Sequence, residues 1–168
     1  MTKLNATFHR MAIVVAFAAI LSATACSKQQ KPEEAAVPTA PAADENIATG
    51  DSDSGKALGL QTVHFPYDSF ILDNEAKAAL KANADILKDK SSAKIQLEGH
   101  CDQRGGIQYN IALGEKRANA TKKYLEDLGI AGDRITTISF GKERPIDPGM
   151  TEEAHAKNRR VNFVVTSR

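Results

Sequence analysis

A change of hydrophobic period across one glycine-rich turn constrains this chain more than any other feature. Lys94-Ile95-Gln96-Leu97-Glu98 alternates, with Ile95 and Leu97 on one face and Gln96 and Glu98 on the other, the repeat of a half-buried strand. Gly99-His100-Cys101-Asp102-Gln103-Arg104-Gly105 follows, and beyond it Ala118, Thr121, Leu125 and Leu128 recur at helical spacing before Gly129. This predicts a helix from about Gly114 to Leu128 with glycine as its stop. Asp102 then lies where the strand ends, and Arg117 lies in the helix's first turn. An acid suits an ammonium, and a guanidinium suits a planar carboxylate in a two-pronged grip. The start of a helix adds unpaired N–H groups and partial positive charge for that carboxylate. Together they fit a zwitterion such as a free amino-acid end. No nucleophile–base pair surrounds them, so the residues point to a binding site.

Residues 58–168 have the length of one domain. Thr62-Val63-His64-Phe65 is a short β-prone run halted by Pro66. Asp73 reads as an N-cap before a helix whose inward stripe is Ala76, Leu80, Ala84 and Leu87. Arg134 to Phe140 reads as a strand with Ile138 and Phe140 on one face, and residues 142–156 as a loop with a short helical turn, broken by Pro145, Pro148 and Gly149. Val161, Phe163 and Val165 form the inward face of a closing strand. Elements with a single apolar side pack most economically as two layers. The expected fold is therefore α/β, an α+β sandwich with two main helices on one face of a small mixed four-stranded sheet.

The N-terminus has the layout of a secretory signal. Lys3 and Arg10 precede an unbroken apolar run from Met11 to Leu21, and small residues lead to Cys26. The run is shorter than the roughly 20 residues that span a bilayer. Ser22-Ala23-Thr24-Ala25-Cys26 resembles the lipobox of bacterial lipoproteins, with Ala23 where leucine is usual. That resemblance implies removal of residues 1–25 and acylation of Cys26. Ser27, in place of an inner-membrane-retaining aspartate, points to the periplasmic face of the outer membrane. Residues 26–57 are rich in Ala, Pro, Glu and Asp without apolar periodicity, which reads as a flexible tether. About 30 such residues span on the order of 30 Å, and roughly 100 Å when stretched.

Cleavage after Ala25 would leave 20 basic residues facing 21 acidic ones. This balance carries no electrostatic footprint for nucleic acid. With Cys26 acylated, Cys101 would stand alone and no intramolecular disulfide could form. His64, His100 and His155 show no metal-ligand spacing, so neither a metal nor any other cofactor is expected. Cys101 reads as a small buried hydrophobe at a strand end.

Several linked motifs, in order, resemble the OmpA-like C-terminal domain family across roughly Val63 to Val165. They are Phe65-Pro66-Tyr67-Asp68, the Gly-His-x-Asp-x-x-Gly turn at 99–105, Asn110-x-x-Leu113-x-x-x-Arg117-Ala118, Gly141-Lys142 and Asn158-Arg159-Arg160-Val161. The lipobox-like start and the tether fit the lipoprotein members of that family. The resemblance implies non-covalent, non-enzymatic binding of the peptidoglycan stem peptide through meso-diaminopimelate. It maps the acid and the arginine that hold this residue onto Asp102 and Arg117. The rest of the pocket falls around Tyr67, Asp68 and Leu113. Membership of the Tol envelope system, with the periplasmic propeller protein TolB as partner, is implied as well. Asn158, Arg159 and Arg160 read as structural. On sequence alone two other classes stay open: an OmpA-like domain of a flagellar stator or secretion device, and a thiol- or metal-dependent cell-wall hydrolase.

Overall fold

The computed structural model describes residues 50–167. The signal segment, Cys26 and most of the tether lie outside the described residues. Strands β1 (Val63–His64), β2 (Lys94–His100), β3 (Ile135–Gly141) and β4 (Arg160–Ser167) join helices α1 (Asn74–Asp89), α2 (Ile107–Asp127) and α3 (Glu152–Asn158). The sheet order is β1-β4-β2-β3, with β2 parallel to β3 and antiparallel to β4, and β1 antiparallel to β4. The crossovers β1-α1-β2 and β2-α2-β3 step across the sheet in one direction. The right-handed rule therefore lays α1 and α2 on the same face, and the core agrees. Ala76, Leu80, Ala84 and Leu87 of α1 meet Ile95, Leu97, Val161, Phe163 and Val165 of the sheet and Ala118 and Leu125 of α2. The expected two-layer α/β sandwich is the observed one.

Local chemistry explains the element ends. Asp73 accepts the Ala76 N–H at 2.8 Å as the α1 N-cap, an interaction worth about 1 kcal/mol. Thr151 does the same for α3 through the Ala154 N–H. One expectation about an element's bounds is corrected. Helix α2 begins at Ile107, not Gly114, so Arg117 sits in mid-helix. Gly114 is no helix start; a Cβ there would lie 2.9 Å from the Gly99 oxygen, and the glycine lets α2 lie directly on β2. As expected, Ile138 and Phe140 share a face, and it is the one turned away from the helices. Thr137 on the other face reaches Asn119 of α2 at 3.2 Å.

The boundary at residue 58 is also corrected. The chain is already docked at Gly50, whose oxygen accepts from the Val165 N–H at 3.1 Å, and the Ser52 N–H donates to Phe163 O at 2.9 Å. Asn162 Oδ1 accepts from Ser52 N, Ser52 Oγ and Asp53 N, and Ala57 is fully buried in the core. Residues 50–57 thus form a strap along the edge of β4 beyond the short β1 pairing. It meets the β4 C-terminus, whereas the loops after β1 and β2 and the residue before β4 gather at the opposite end of the sheet.

On the helix-free face His100 is buried, stacked on Phe140 with ring centroids 5.6 Å apart. Neither ring nitrogen has a hydrogen-bond partner, and Glu98 is 3.7 Å away. Burial lowers the His100 pKa from its ordinary value of 6.5, with Glu98 opposing. The unfolded chain then takes up a proton at a pH where the native state does not, so stability falls as pH drops below about 6.5. Urea unfolding at about pH 7.5 and 5.5 is expected to show this loss, and His100→Gln to reduce the slope by up to one proton's worth. An unchanged slope in the variant would remove His100 from the account.

Candidate functional site

The loops at the far end of the sheet line a small cleft of about 40 Å³, partly open to solvent. Tyr67 and Asp68 come from the β1–α1 loop, Cys101, Asp102, Arg104 and Gly105 from the β2–α2 turn, Tyr109, Leu113 and Arg117 from α2, and Arg159 from the start of β4. All five ligand-contact candidates from the sequence, Tyr67, Asp68, Asp102, Leu113 and Arg117, therefore line one cleft.

Asp102 lies two residues past the end of β2 and is 4% exposed. Oδ1 accepts the backbone N–H of Arg104 at 3.1 Å, which tightens the turn. Oδ2 accepts from Arg104 Nη2 at 2.6 Å and from Arg159 Nη1 at 3.3 Å. Burial pushes the Asp102 pKa up, but the hydrogen bonds and charge of Arg104, joined by Arg159, outweigh it and hold the carboxyl below its ordinary range. A carboxylate oxygen accepts two donors comfortably, so Oδ1 retains room for one more.

Arg117 has no exposed surface. Nε donates to Ser69 O at 2.8 Å, Nη1 to His100 O at 2.8 Å and Nη2 to Pro66 O at 3.2 Å. The side chain therefore ties the β1–α1 loop to the end of β2 and forms no ion pair with Asp102. A guanidinium has five N–H donors. One on Nη2 is left over, and one on Nη1 faces only the Cys101 sulfur at 3.5 Å. Those two can grip a carboxylate.

The neighbours shape the walls. Asn110 donates from Nδ2 to Arg104 O at 2.7 Å and Gly106 O at 3.1 Å, closing the turn. Asp68 lies in the left-handed region at φ 51° and accepts the Tyr109 hydroxyl. Lys142 holds the turn from outside through Gly105 O at 2.7 Å. Cys101 donates from Sγ to Asn110 O at 3.3 Å, and burial pushes its thiol up to about 11, the opposite of an activated nucleophile. Among the described residues no group of three His, Cys, Asp or Glu could hold a metal ion.

Two arginines enter the site that the sequence left outside it. Arg159, read as structural, sits on Asp102 and on Glu152 Oε1 at 2.8 Å. Arg104, given no role, bridges Asp102 and Glu152 Oε2 at 3.2 Å and lies 4.1 Å over the Tyr67 ring. Only the two-residue spacing of Asp102 and Arg104 could have signalled this. The cleft thus holds three arginines against Asp102 and Asp68, with Glu152 at its rim, a balance suited to a ligand carrying both signs of charge.

Comparison with known proteins gives a consistent answer. The OmpA family profile matches residues 64–159. The chain is 32% identical to the peptidoglycan-associated lipoprotein of Legionella pneumophila over 94% of this chain and 95% of that one. It is 44% identical to the protein of the same name from Pseudomonas aeruginosa, over 67% of this chain and 66% of the other. The crystal structure of the peptidoglycan-associated lipoprotein from Burkholderia pseudomallei superposes with a TM-score of 0.62 at 33% identity, over 67% of this chain and 97% of that one.

Proposed function

The chain belongs to the OmpA family, and from that membership we propose that it is an outer-membrane lipoprotein binding peptidoglycan non-covalently through meso-diaminopimelate in the stem peptide. One observation carries the reading. Asp102 and Arg117 line the same cleft, and each keeps hydrogen-bonding capacity matched to one end of an amino-acid head group. The Asp102 carboxylate takes the ammonium, and the Arg117 N–H groups not held by backbone carbonyls take the carboxylate. Tyr67, Asp68 and Leu113 wall the ligand in. Charge-assisted hydrogen bonds contribute about 1.5–3 kcal/mol each, more than the 0–1 kcal/mol of an exposed ion pair, and burial puts this site in the stronger class. Holding the ligand makes and breaks no covalent bond, so the protein acts as a binder and not as an enzyme.

The layout of the domain supports a tether. The strap at Gly50 leads toward the N-terminus from one end of the sheet, and the cleft opens at the other. With residues 1–25 removed and Cys26 acylated, the lipid and the wall would pull on opposite ends of the domain. Several acyl chains hold a protein on a membrane far better than one. The similarity to the Legionella protein, spanning 94% of the chain, reaches into this N-terminal part. A place in the Tol–Pal system, with TolB as partner and a role in envelope integrity and cell division, completes the proposal.

The test is retention on purified sacculi. Asp102→Asn removes the negative charge at nearly constant shape and is expected to weaken retention about tenfold or more. A variant held as well as the native protein, with unchanged thermal unfolding, would reject this cleft as the binding site.

A further inference from the structure

Asp102 already carries a cation. On Oδ2 both acceptor positions are taken, by Arg104 and by Arg159. An arriving ammonium, with three N–H donors, finds a single free acceptor position on Oδ1. For it to sit squarely on the carboxylate, one guanidinium must leave. Arg159 is poorly placed to do so: its side chain is 9% exposed and is fixed by Phe65 O at 3.1 Å and by Glu152.

Arg104 is well placed. Its side chain is 35% exposed and projects from the turn beside Gly105, which has φ 82°. Its Nε is buried without a hydrogen-bond partner, so the present pose leaves a donor unsatisfied. It also has other contacts that can hold it away from Asp102, Glu152 at 3.2 Å and the Tyr67 face at 4.1 Å.

We propose that Arg104 is an internal competitor for the ligand's ammonium: its guanidinium sits in the cation seat on Asp102, and the ligand enters by exchanging with it there while Arg104 keeps the contacts it already makes with Glu152 and Tyr67. The exchange swaps one cation for another, so Asp102 is never left buried and unpaired, which would be costly. A neutral group cannot displace Arg104 on these terms. The device therefore sets the affinity and makes the site demand a positive charge. This inference rests on the proposed binding of diaminopimelate.

The experiment titrates the full chain, purified in detergent, with the tripeptide L-Ala–γ-D-Glu–meso-diaminopimelate and with the same tripeptide acetylated on its free side-chain amine. Arg104→Gln, which removes the competing charge, is expected to bind the free-amine peptide about three- to tenfold more tightly than the native protein. The acetylated peptide is expected to gain nothing. Tighter binding of both peptides would make Arg104 a steric plug and overturn the exchange. So would unchanged or weaker binding of the free-amine peptide, and if the native chain binds it, the diaminopimelate reading still stands. Binding by the variant alone would support the exchange in its strongest form, and binding by neither chain would overturn both readings. A crystal structure of the native complex gives an answer independent of any variant. Arg104 Nη2 is expected to have left Asp102 Oδ2, and persistence of the 2.6 Å pair would overturn the proposal.

Discussion

Arg117→Ala is expected to cost the domain about 3–5 kcal/mol of stability before any peptidoglycan is offered, the range seen when one member of a buried charged network is removed. The guanidinium is fully buried and donates to the carbonyls of Ser69, His100 and Pro66. Truncation leaves three acceptors without their donor, each costing about 1–3 kcal/mol where it stays out of reach of water. The Phe65 ring, 5.3 Å from the guanidinium, loses its cation as well. Urea unfolding measures the loss, and a change below about 1 kcal/mol would refute the bracing role. The variant should also fail to hold sacculi, but that failure would say little about ligand contact. The β1–α1 loop carrying Tyr67 and Asp68 is tied down by the same side chain. Asp102→Asn is the cleaner probe of the cleft for this reason. Arg117 is a brace in the structure, with three donors holding the loops and a fourth on the Cys101 sulfur, and a jaw only under the proposed binding of diaminopimelate.

Periodic, locally encoded features were legible in the residues. The α1 stripe and its Asp73 cap follow from helical spacing and one short-range hydrogen bond. The burial of Ile95 and Leu97 follows from strand alternation. Where structure depends on distant partners, the local signal fails. Gly105, Gly106 and Gly114 obscure the first two turns of α2, because helix propensity counts mid-helix glycine as a break and cannot see the β2 backbone against which Gly114 packs. Residues 50–57 have the composition of a linker, yet they dock through polar contacts to Asn162, over a hundred residues away. Apolar periodicity is blind to such contacts. Among site residues, Asp102 and Arg117 stand in recognisable motifs. Arg159 reaches Asp102 from 57 residues away with no local pattern to announce it. The buried placement of Arg117 was equally hidden, since a helix arginine ordinarily faces water.

The backbone contact between β2 and α2 leads to the other large effect. Gly99→Ala is expected to destabilise the domain by about 3 kcal/mol or more, at the upper end of what overpacking costs. A Cβ at Gly99 would overlap the Gly114 oxygen and lie 2.6 Å from its carbonyl carbon and 3.0 Å from its Cα. All three are main-chain atoms in mid-helix, so no rotamer change relieves the clash. The strand and the helix must separate. Gly106→Ala is the control, because a Cβ there meets nothing within 4 Å. The separation also reaches the cleft. β2 runs on directly to Asp102, and α2 carries Arg117 one helical turn past Gly114. Moving the two elements apart widens the gap between the acid and the guanidinium. Retention on sacculi should therefore drop in Gly99→Ala even at a temperature where circular dichroism shows it folded. Undiminished retention by a folded but destabilised variant would mean that the spacing of the two jaws does not govern binding.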